Sequence, residues 1–267
     1  MIRRHGRLRA TRGDGVYTNA ANVTERQFVP PSLAISTVIF ALRPSVTSGR
    51  PTLWLPLVRR IRQPYRGKWA LPGGPLARSE SLVEAAGRNL KETTQLEPGY
   101  LEQLYCFGAV DRSPAERVVS IVYWALVQAE AAAMAEETDN VRWFRADGLE
   151  ELAFDHNEIV EYALWRLRNK MEYGSIAYHF LGDRFTLAQL REVYEAVLDK
   201  RLDPANFRRQ LRGARDIEPT DEYLQGGRHR PPRLYRYRPE PAAAAGSGGA
   251  DHQTQSNGVK HVRSDQH

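Results

Sequence analysis

Three polar side chains, those of Asn89, Glu92 and Thr93, stand at i, i+3 and i+4 on a helix that the sequence predicts after Ser81. Residues at this spacing share one face of a helix. Ser81 and Glu84 have the spacing of a capping box, which marks the first turn. The other face is predicted to be apolar and consists of Leu82, Val83, Ala85, Ala86 and Leu90. Such a polar face could present oxygen ligands to a hard cation such as Mg²⁺, but only Glu92 would supply negative charge.

The segment from Leu71 to Leu96 resembles the Nudix box, whose pattern is G-x5-E-x7-R-E-U-x-E-E-x-G-U with U a bulky apolar residue. The residues that match the pattern are Gly74, Glu80, Arg88, Leu90, Glu92 and Leu96. The residues that depart from it are Asn89, Thr93 and Gln95. In active members of this family the helix carries carboxylates that hold a metal against a diphosphate. The resemblance therefore implies a pocket for a nucleoside diphosphate beside a degenerate catalytic helix.

The degenerate helix has two interpretations. In the first, Glu92 keeps a weak contact with Mg²⁺, no residue is catalytic, and no cofactor is required. In the second, Glu92 only pairs with Arg88 and Lys91 on a solvated face. Both interpretations predict that the protein is not an efficient enzyme, with residual hydrolysis left open.

Basic residues precede the box and could hold phosphate groups. Arg59, Arg60 and Arg62 end a predicted strand, and the sequence RGKWALPGG then leads into the box. The expected ligand-binding residues are Arg59, Arg60, Lys68, Gly73, Gly74 and Glu92. One or two of these cations are expected to be solvated without contacting a ligand.

Composition favours a packed protein in a reducing compartment. The chain has 267 residues, of which 42% are hydrophobic. Its single cysteine, Cys106, excludes an internal disulfide and a cysteine-based zinc site, and its apolar setting predicts a core position. No apolar region follows the basic N-terminus, and the longest apolar run, residues 33–42, is too short to span a bilayer. We therefore expect a cytoplasmic protein with no membrane partner.

Positive charge is concentrated in two segments. The net charge is +4 over residues 1–30, −1 over residues 31–155 and +6 over residues 200–238. This distribution favours a polyanionic partner contacted at particular places, although a solubilising surface would give the same charge. The first segment is expected to be a disordered arm that could reach along DNA, or a plain tail.

The first half of the chain predicts an α/β/α sandwich with a mixed sheet. Strands are expected at residues 32–42, 52–60, 101–112, 118–127 and 140–147. A second helix is expected over residues 154–171, with Asp155 as its cap and Glu158 three residues later. His156 at its start is expected to be structural.

The second half predicts two capped helices and a basic strand. Thr186 and Gln189 form a capping box, and Asp203 with Pro204 begins a helix expected to run to residue 215. A loop is expected at residues 216–227, followed by the basic strand RPPRLYRYRP. This order is typical of a winged helix-turn-helix domain, whose recognition helix lies in the major groove. The expected DNA-binding residues are Asn206, Arg208, Arg209, Arg212, Arg233 and Arg236.

A Nudix-like domain followed by a winged helix resembles the Nudix-related transcriptional regulators (NrtR). The segments that carry the resemblance are VDRSPAERVVSIVYWALV, FTLAQLREVYEAVL, DPANFRRQLR and PPRLYRYR. The resemblance implies a homodimeric repressor of NAD-metabolism genes that binds a double-stranded operator. It also implies ADP-ribose or a related NAD metabolite as the effector that releases DNA.

The predicted organisation has four parts: a basic arm (1–30), a Nudix-like effector domain (31–172), a winged helix-turn-helix domain (173–238) and a disordered tail (239–267). Two other functions remain open. An active ADP-ribose pyrophosphatase with a basic accessory domain would need Glu92 with Glu80 or Glu84 to hold the metal. A Nudix-derived binding module without a DNA role is disfavoured by the basic helix.

Overall fold

Strand β1, Ser32–Pro44, is the centre of a seven-stranded sheet. The computed structural model describes residues 30–173, 175–212, 214, 216–225 and 231–238, so all but Pro30 of the predicted arm and the predicted tail lie outside it. Every residue of β1 from Ile35 to Leu42 is buried. A strand buried on both faces requires a layer of structure on each side of the sheet.

The remaining strands pair with β1 or with its neighbours. They are β2 (Pro51–Arg59), β3 (Trp69–Ala70), β4 (Gly73–Pro75), β5 (Tyr100–Phe107), β6 (Val118–Leu126) and β7 (Val141–Arg145). The main order is β3-β2-β1-β6-β5, with β4 paired to β1 and β7 paired to β2. Strand β6 is parallel to β1 and the other pairs are antiparallel. The predicted mixed sheet is therefore confirmed.

Two long helices cover the two faces of the sheet. Helix α1, Leu82–Thr94, packs through Leu90 against Ile39, on one face of β1. Helix α3, His156–Tyr173, packs on the other face, where Ile159 and Phe40 belong to one core. The alternation of β1 side chains between these layers confirms the α/β/α sandwich. A short helix α2, Ala129–Ala133, was not predicted.

The second half of the chain forms a small helical unit with a hairpin. A 3-10 helix at Ser175–Phe180 precedes α4 (Leu187–Leu198), α5 (Pro204–Leu211), β8 (Ile217–Tyr223) and β9 (Arg233–Tyr237). Both predicted helix starts are confirmed: Thr186 and Gln189 cap each other, and Asp203 accepts a hydrogen bond from the Asn206 amide. The order is that of a winged helix-turn-helix.

The two halves share one core. Leu190 and Val193 of α4 belong to the same buried cluster as Leu55 and Leu57 of β2. Helix α4 also packs directly against β2 and α3. The small unit therefore packs on the α3 face of the sheet rather than standing apart from it.

Several predictions about local structure are wrong. Cys106 is exposed, because β5 is an edge strand and its register shifts between Gln103 and Tyr105. Val83, assigned to the apolar face of α1, is 56% exposed. The segment predicted to be a loop at residues 216–227 contains strand β8, which forms despite Pro219 because it pairs with β9.

Two predicted elements end earlier than expected. The strand predicted at 101–112 ends at Phe107, and the helix predicted at 204–215 ends at Leu211.

Among the helices within the described ranges, none is long and apolar enough to cross a bilayer.

Phe207 is expected to be the anchor of α5. It is 6% exposed, and its ring lies edge-on against Tyr194 at 5.5 Å between ring centroids. Phe207→Ala should lower the free energy of unfolding by about 3–5 kcal/mol, because a buried aromatic ring is lost. Urea denaturation followed by circular dichroism measures the change, with the exposed neighbour Arg208→Ala as the control. Equal stability of the two variants would contradict this role for Phe207.

Candidate functional site

The loop before α1 is closed by an ion pair between Glu80 and Arg88. Arg88 donates Nε to Glu80 Oε2 at 3.0 Å and Nη2 to Oε1 at 2.9 Å. The Ala77 amide donates to the same carboxylate at 2.8 Å. Arg88, followed by Ala77, lowers the pKa of Glu80. These two box residues therefore fix the shape of the loop.

Asn89 does not lie on an open polar face, as the sequence predicted, but is buried at 4% exposure. Its Nδ2 donates to the Ile35 carbonyl oxygen at 3.1 Å, which joins α1 to the central strand. Thr93 donates its hydroxyl to the Asn89 carbonyl oxygen at 2.7 Å. Both side chains at former carboxylate positions are thus engaged in internal hydrogen bonds.

Glu92 is the one carboxylate left on the expected metal face. Its side chain is 65% exposed and lies 3.4 Å from Arg88 Nη1. Among the described residues, no group of three or more His, Cys, Asp or Glu side chains is placed to hold a metal. A Mg²⁺ ion on a diphosphate needs anionic oxygen ligands, and this face of the helix offers one. The residues present therefore do not fit the metal that the Nudix fold implies.

The two glycines before the box have different surroundings. A Cβ atom on Gly73 would lie 2.6 Å from the Ile35 carbonyl oxygen, so only glycine allows β4 to pair this closely with β1. A Cβ atom on Gly74 would meet nothing within 4 Å. Gly73 is therefore required by strand packing, independently of any ligand.

Arg59 is the most accessible of the predicted phosphate contacts. It ends β2, pairs with Trp69 of β3, and donates Nε to the Gly67 carbonyl oxygen at 3.4 Å. No ion pair within 4 Å involves it among the described residues. Its terminal nitrogens are therefore available to an anion.

Arg60 and Lys68 have partners within the chain. The Arg60 guanidinium lies 4.5 Å from the centre of the Phe154 ring, and partial burial lowers its pKa. Lys68 Nζ lies 2.7 Å from Glu151. Both partners belong to the segment before α3, whereas Glu92 lies on α1 at the opposite face of the sheet. The structure thus groups the three basic residues on one hairpin and places Glu92 apart from them.

The start of α3 is tied to the entry of the box. His156 Nδ1 accepts a hydrogen bond from the Leu71 amide at 2.9 Å, and burial lowers the pKa of His156 to about 3. The structural role predicted for His156 is therefore confirmed. Sequence reasoning missed the bidentate ion pair of Arg112 with Asp155, at 2.8 and 2.7 Å. The loop after β5 brings Arg112 to Asp155, and no short-range sequence pattern indicates a pair that is 43 residues apart.

Helix α5 presents an exposed basic surface. Asn206, Arg208, Arg209 and Arg212 are all exposed. Arg209 Nη2 donates to Asn206 Oδ1 at 2.7 Å, which orients both side chains. Among the described residues, no carboxylate lies within 4 Å of these three arginines. The surface therefore carries positive charge that this part of the chain does not neutralise.

The hairpin arginines differ, because acidic residues of β8 neutralise them. Arg236 Nη2 lies 2.8 Å from Glu218, which Arg238 shares at 2.7 Å. Arg233 donates Nε to the Thr220 carbonyl oxygen at 2.6 Å and lies 3.3 Å from Asp221. An anion would have to compete with these carboxylates, so the positive potential of this surface is centred on α5.

Comparison with protein families identifies two domains. Residues 38–163 match the NUDIX domain, and residues 177–237 match the NrtR DNA-binding winged helix domain. A curated relative, the ADPR responsive transcriptional repressor NtrR of Acinetobacter baylyi, is 31% identical over 222 residues, covering 81% of this chain and 86% of that relative.

Two further relatives are a DNA-bound regulator and a hydrolytic enzyme. The structure of Shewanella oneidensis NrtR complexed with a 27mer DNA is 31% identical with a TM-score of 0.67, and the match covers 77% of this chain and 93% of that one. An ADP-ribose pyrophosphatase of Methanocaldococcus jannaschii is 33% identical over 111 residues, 41% of this chain and 66% of that enzyme. The two-domain relatives match both halves of the chain.

Burial of neutral His156 makes stability depend on pH. Because its folded pKa lies near 3, below the unfolded value of about 6.5, its contribution is complete above pH 6.5. As pH falls below that value, the unfolded chain binds the proton and stability falls by about 1.4 kcal/mol per pH unit. His156→Asn keeps an acceptor for Leu71 and should remove this slope. Urea titrations from pH 7 to 5 compare the two proteins, and parallel curves would contradict the assignment.

Proposed function

This chain belongs to the NrtR family of Nudix-related transcriptional regulators, and we propose that it is an ADP-ribose-responsive repressor of NAD-metabolism genes. One observation carries the proposal: the similarity to an ADPR responsive repressor spans both domains, at 31% identity over 86% of that relative. In this function the winged helix binds operator DNA and the Nudix domain binds the effector.

The DNA-binding half of the proposal assigns base reading to α5. Its exposed arginines have no acidic partner within 4 Å in the described part of the chain, and an arginine fork can bind guanine bidentately in the major groove. Asn206 can bind a base or phosphate from the same surface. Arg233 and Arg236 would contact phosphate, with Glu218 and Asp221 reducing their charge.

The effector half assigns the diphosphate of ADP-ribose to the hairpin that leads into the box. Arg59 has free terminal nitrogens there, and the backbone of Gly74 is open to a close approach. Arg60 packs on the Phe154 ring and Lys68 pairs with Glu151. These two side chains would therefore add positive charge near the diphosphate without contacting it directly. Glu92, on the other face of the sheet, would take no part in this contact.

We infer that hydrolysis of the effector is not part of this function. Asn89 and Thr93 bond within the chain, which leaves Glu92 as the only carboxylate among positions 89, 92 and 93. The second candidate function is an active ADP-ribose pyrophosphatase, favoured by the 33% identity to such an enzyme over the Nudix half. It would need Glu80 or Glu84 as a further ligand. Arg88 and the Ala77 amide already bind the Glu80 carboxylate, and the Glu84 carboxylate accepts a hydrogen bond from the Ser81 amide at 2.7 Å.

Release of DNA requires only differential binding. A ligand that binds one arrangement of the two domains more tightly shifts the population toward it. In a homodimer, which we propose here, a small rotation of each winged helix would alter the spacing of the two α5 helices and weaken binding to two half-sites. The effector can therefore act without being cleaved.

The first prediction of this function concerns turnover. Purified protein with Mg²⁺ and ADP-ribose should form AMP far more slowly than about 1 s⁻¹, the lower end of common enzyme rates. Thr93→Glu alone should not restore turnover, because Asn89 remains bonded to the Ile35 carbonyl. Chromatography of the products measures the rate. Turnover of about 1 s⁻¹ or faster in the wild-type protein would establish the pyrophosphatase instead.

The second prediction concerns α5. Arg209→Ala with Arg212→Ala should leave the fold intact, because both side chains are exposed. If either arginine contacts a base, the loss should cost about 1–3 kcal/mol and relax preference at one operator position. If it contacts only phosphate, binding should weaken evenly and the salt slope should fall by about one unit.

Gel shifts at several salt concentrations distinguish the two results, with circular dichroism on each variant. Arg166→Ala on α3 is the matched control, since it removes an arginine far along the chain from α5. A folded double variant that binds operator as tightly as wild type would remove α5 from the interface.

A further inference from the structure

A cavity of about 460 Å³ lies where the winged helix packs on the Nudix domain. The turn between β1 and β2, the end of β7, helix α3 and the C-terminal part of α4 form its walls. Its volume lies in the range of small-molecule sites, roughly 300–1,000 Å³. It is therefore large enough to hold a small ligand in contact with both domains.

The cavity wall is strongly charged, with cations in excess. Its cations are Arg50, Arg145, Arg168, Arg191, Lys200 and Arg201. Its carboxylates are Asp147, Glu192, Glu195 and Asp199. The wall therefore carries a net charge of +2 at neutral pH, on side chains drawn from both domains.

Two of the carboxylates are already committed to cations. Arg145 binds Asp147 through two hydrogen bonds, at 3.0 and 2.6 Å. Glu195 is shared between Arg201 at 3.3 Å and Arg191 at 3.5 Å, and it also accepts the Leu202 amide. Arg191 Nε is buried and makes no hydrogen bond. One carboxylate thus serves two guanidinium groups, and a buried donor is left unsatisfied, which is costly.

The other cations have no carboxylate partner within 4 Å in the described part of the chain. These are Arg50 of the β1–β2 turn, Arg168 of α3 and Lys200 at the end of α4. Arg168 donates Nε to the Val197 carbonyl oxygen at 3.2 Å, so its terminal nitrogens remain available. These three cations line the cavity together with the carboxylates Glu192 and Asp199, so positive charge remains in excess on the wall.

We propose that this interdomain cavity is a second ligand site, which binds a small anion bearing phosphate groups. Guanidinium groups bind phosphate bidentately, and several cations from separate elements suit an anion of more than one negative charge. Lys200 supplies a further charge without fixed geometry.

The site is separate from the proposed effector pocket. The box loop pairs with β1 at residues 34–36, whereas the cavity lies beyond its far end, at Arg50 and Pro51. At a rise of about 3.3 Å per residue, Ile35, which pairs with Gly74, and Pro44 at the far end of β1 are roughly 30 Å apart. One molecule of the size of ADP-ribose cannot fill both sites.

An anion here would join the two domains. Arg50 and Arg168 belong to the Nudix domain, and Lys200 follows α4, directly before the turn to α5. A ligand that bridges these residues would hold α5 in one position relative to the sheet. Binding at this site would therefore bias the arrangement on which DNA recognition depends.

Isothermal titration calorimetry of the full chain with inorganic pyrophosphate tests the site. The double variant Arg168→Gln with Lys200→Gln should bind pyrophosphate about tenfold or more weakly, because two charge-assisted contacts are lost. Arg166→Gln is the control: like Arg168→Gln it removes one positive charge from α3, but at a residue outside the cavity wall, and it should leave affinity unchanged. Circular dichroism checks the fold of each variant.

If the double variant is unfolded, the single variant Lys200→Gln tests the site instead. Lys200 is exposed, so its substitution should leave the fold intact and weaken pyrophosphate binding about threefold. Repeating the titration with saturating ADP-ribose separates the two sites, since pyrophosphate should still bind. The proposal is overturned if wild type shows no binding at roughly 1 mM pyrophosphate, if the control loses affinity equally, or if ADP-ribose competes directly. None of these results depends on DNA binding, so they are distinct from a failure of the repressor function.

Discussion

The apolar packing of α4 on the α3 face of the sheet is the interaction on which the rest of the molecule depends. Leu190 and Val193 enter the core that Leu55 and Leu57 of β2 also form. Because close-packed interiors resist small deformations, the position of α4 is tied to the position of the sheet. Helix α5 follows α4 after a short turn, so its position depends on this contact.

Internal hydrogen bonds keep the box helix in place without carboxylates at positions 89 and 93. Asn89 bonds to the central strand, and Arg88 with Glu80 holds the loop, so the box keeps a defined conformation. His156 fixes the entry of the box to α3, which in turn contacts α4. The chain of contacts from pocket to winged helix is thus continuous, although continuity alone is not coupling.

Local signals in the sequence predicted the parts of the fold that depend on neighbouring residues. The capping boxes at Ser81 and Thr186 were predicted because both partners lie within one turn. The burial of Asn89 and the exposure of Cys106 depend on tertiary contacts, namely the Ile35 carbonyl and the edge position of β5. Strand β8 was missed because Pro219, Asp221 and two glutamates are poor strand formers, and the strand depends on pairing with β9, which is distant in the sequence.

The candidate site was predictable in the same partial way. Box spacing identified the helix and its missing carboxylates, and charge identified α5. The sequence could not show that acidic residues of β8 neutralise the hairpin arginines, or that the domains enclose a charged cavity.

The measurement that tests the central claim is the affinity of the full chain for an operator upstream of an NAD-metabolism gene, by fluorescence anisotropy at fixed salt, with and without ADP-ribose. The account predicts specific binding that ADP-ribose weakens by about 5–150-fold, the usual range of allosteric coupling. An operator affinity that ADP-ribose leaves unchanged would contradict it.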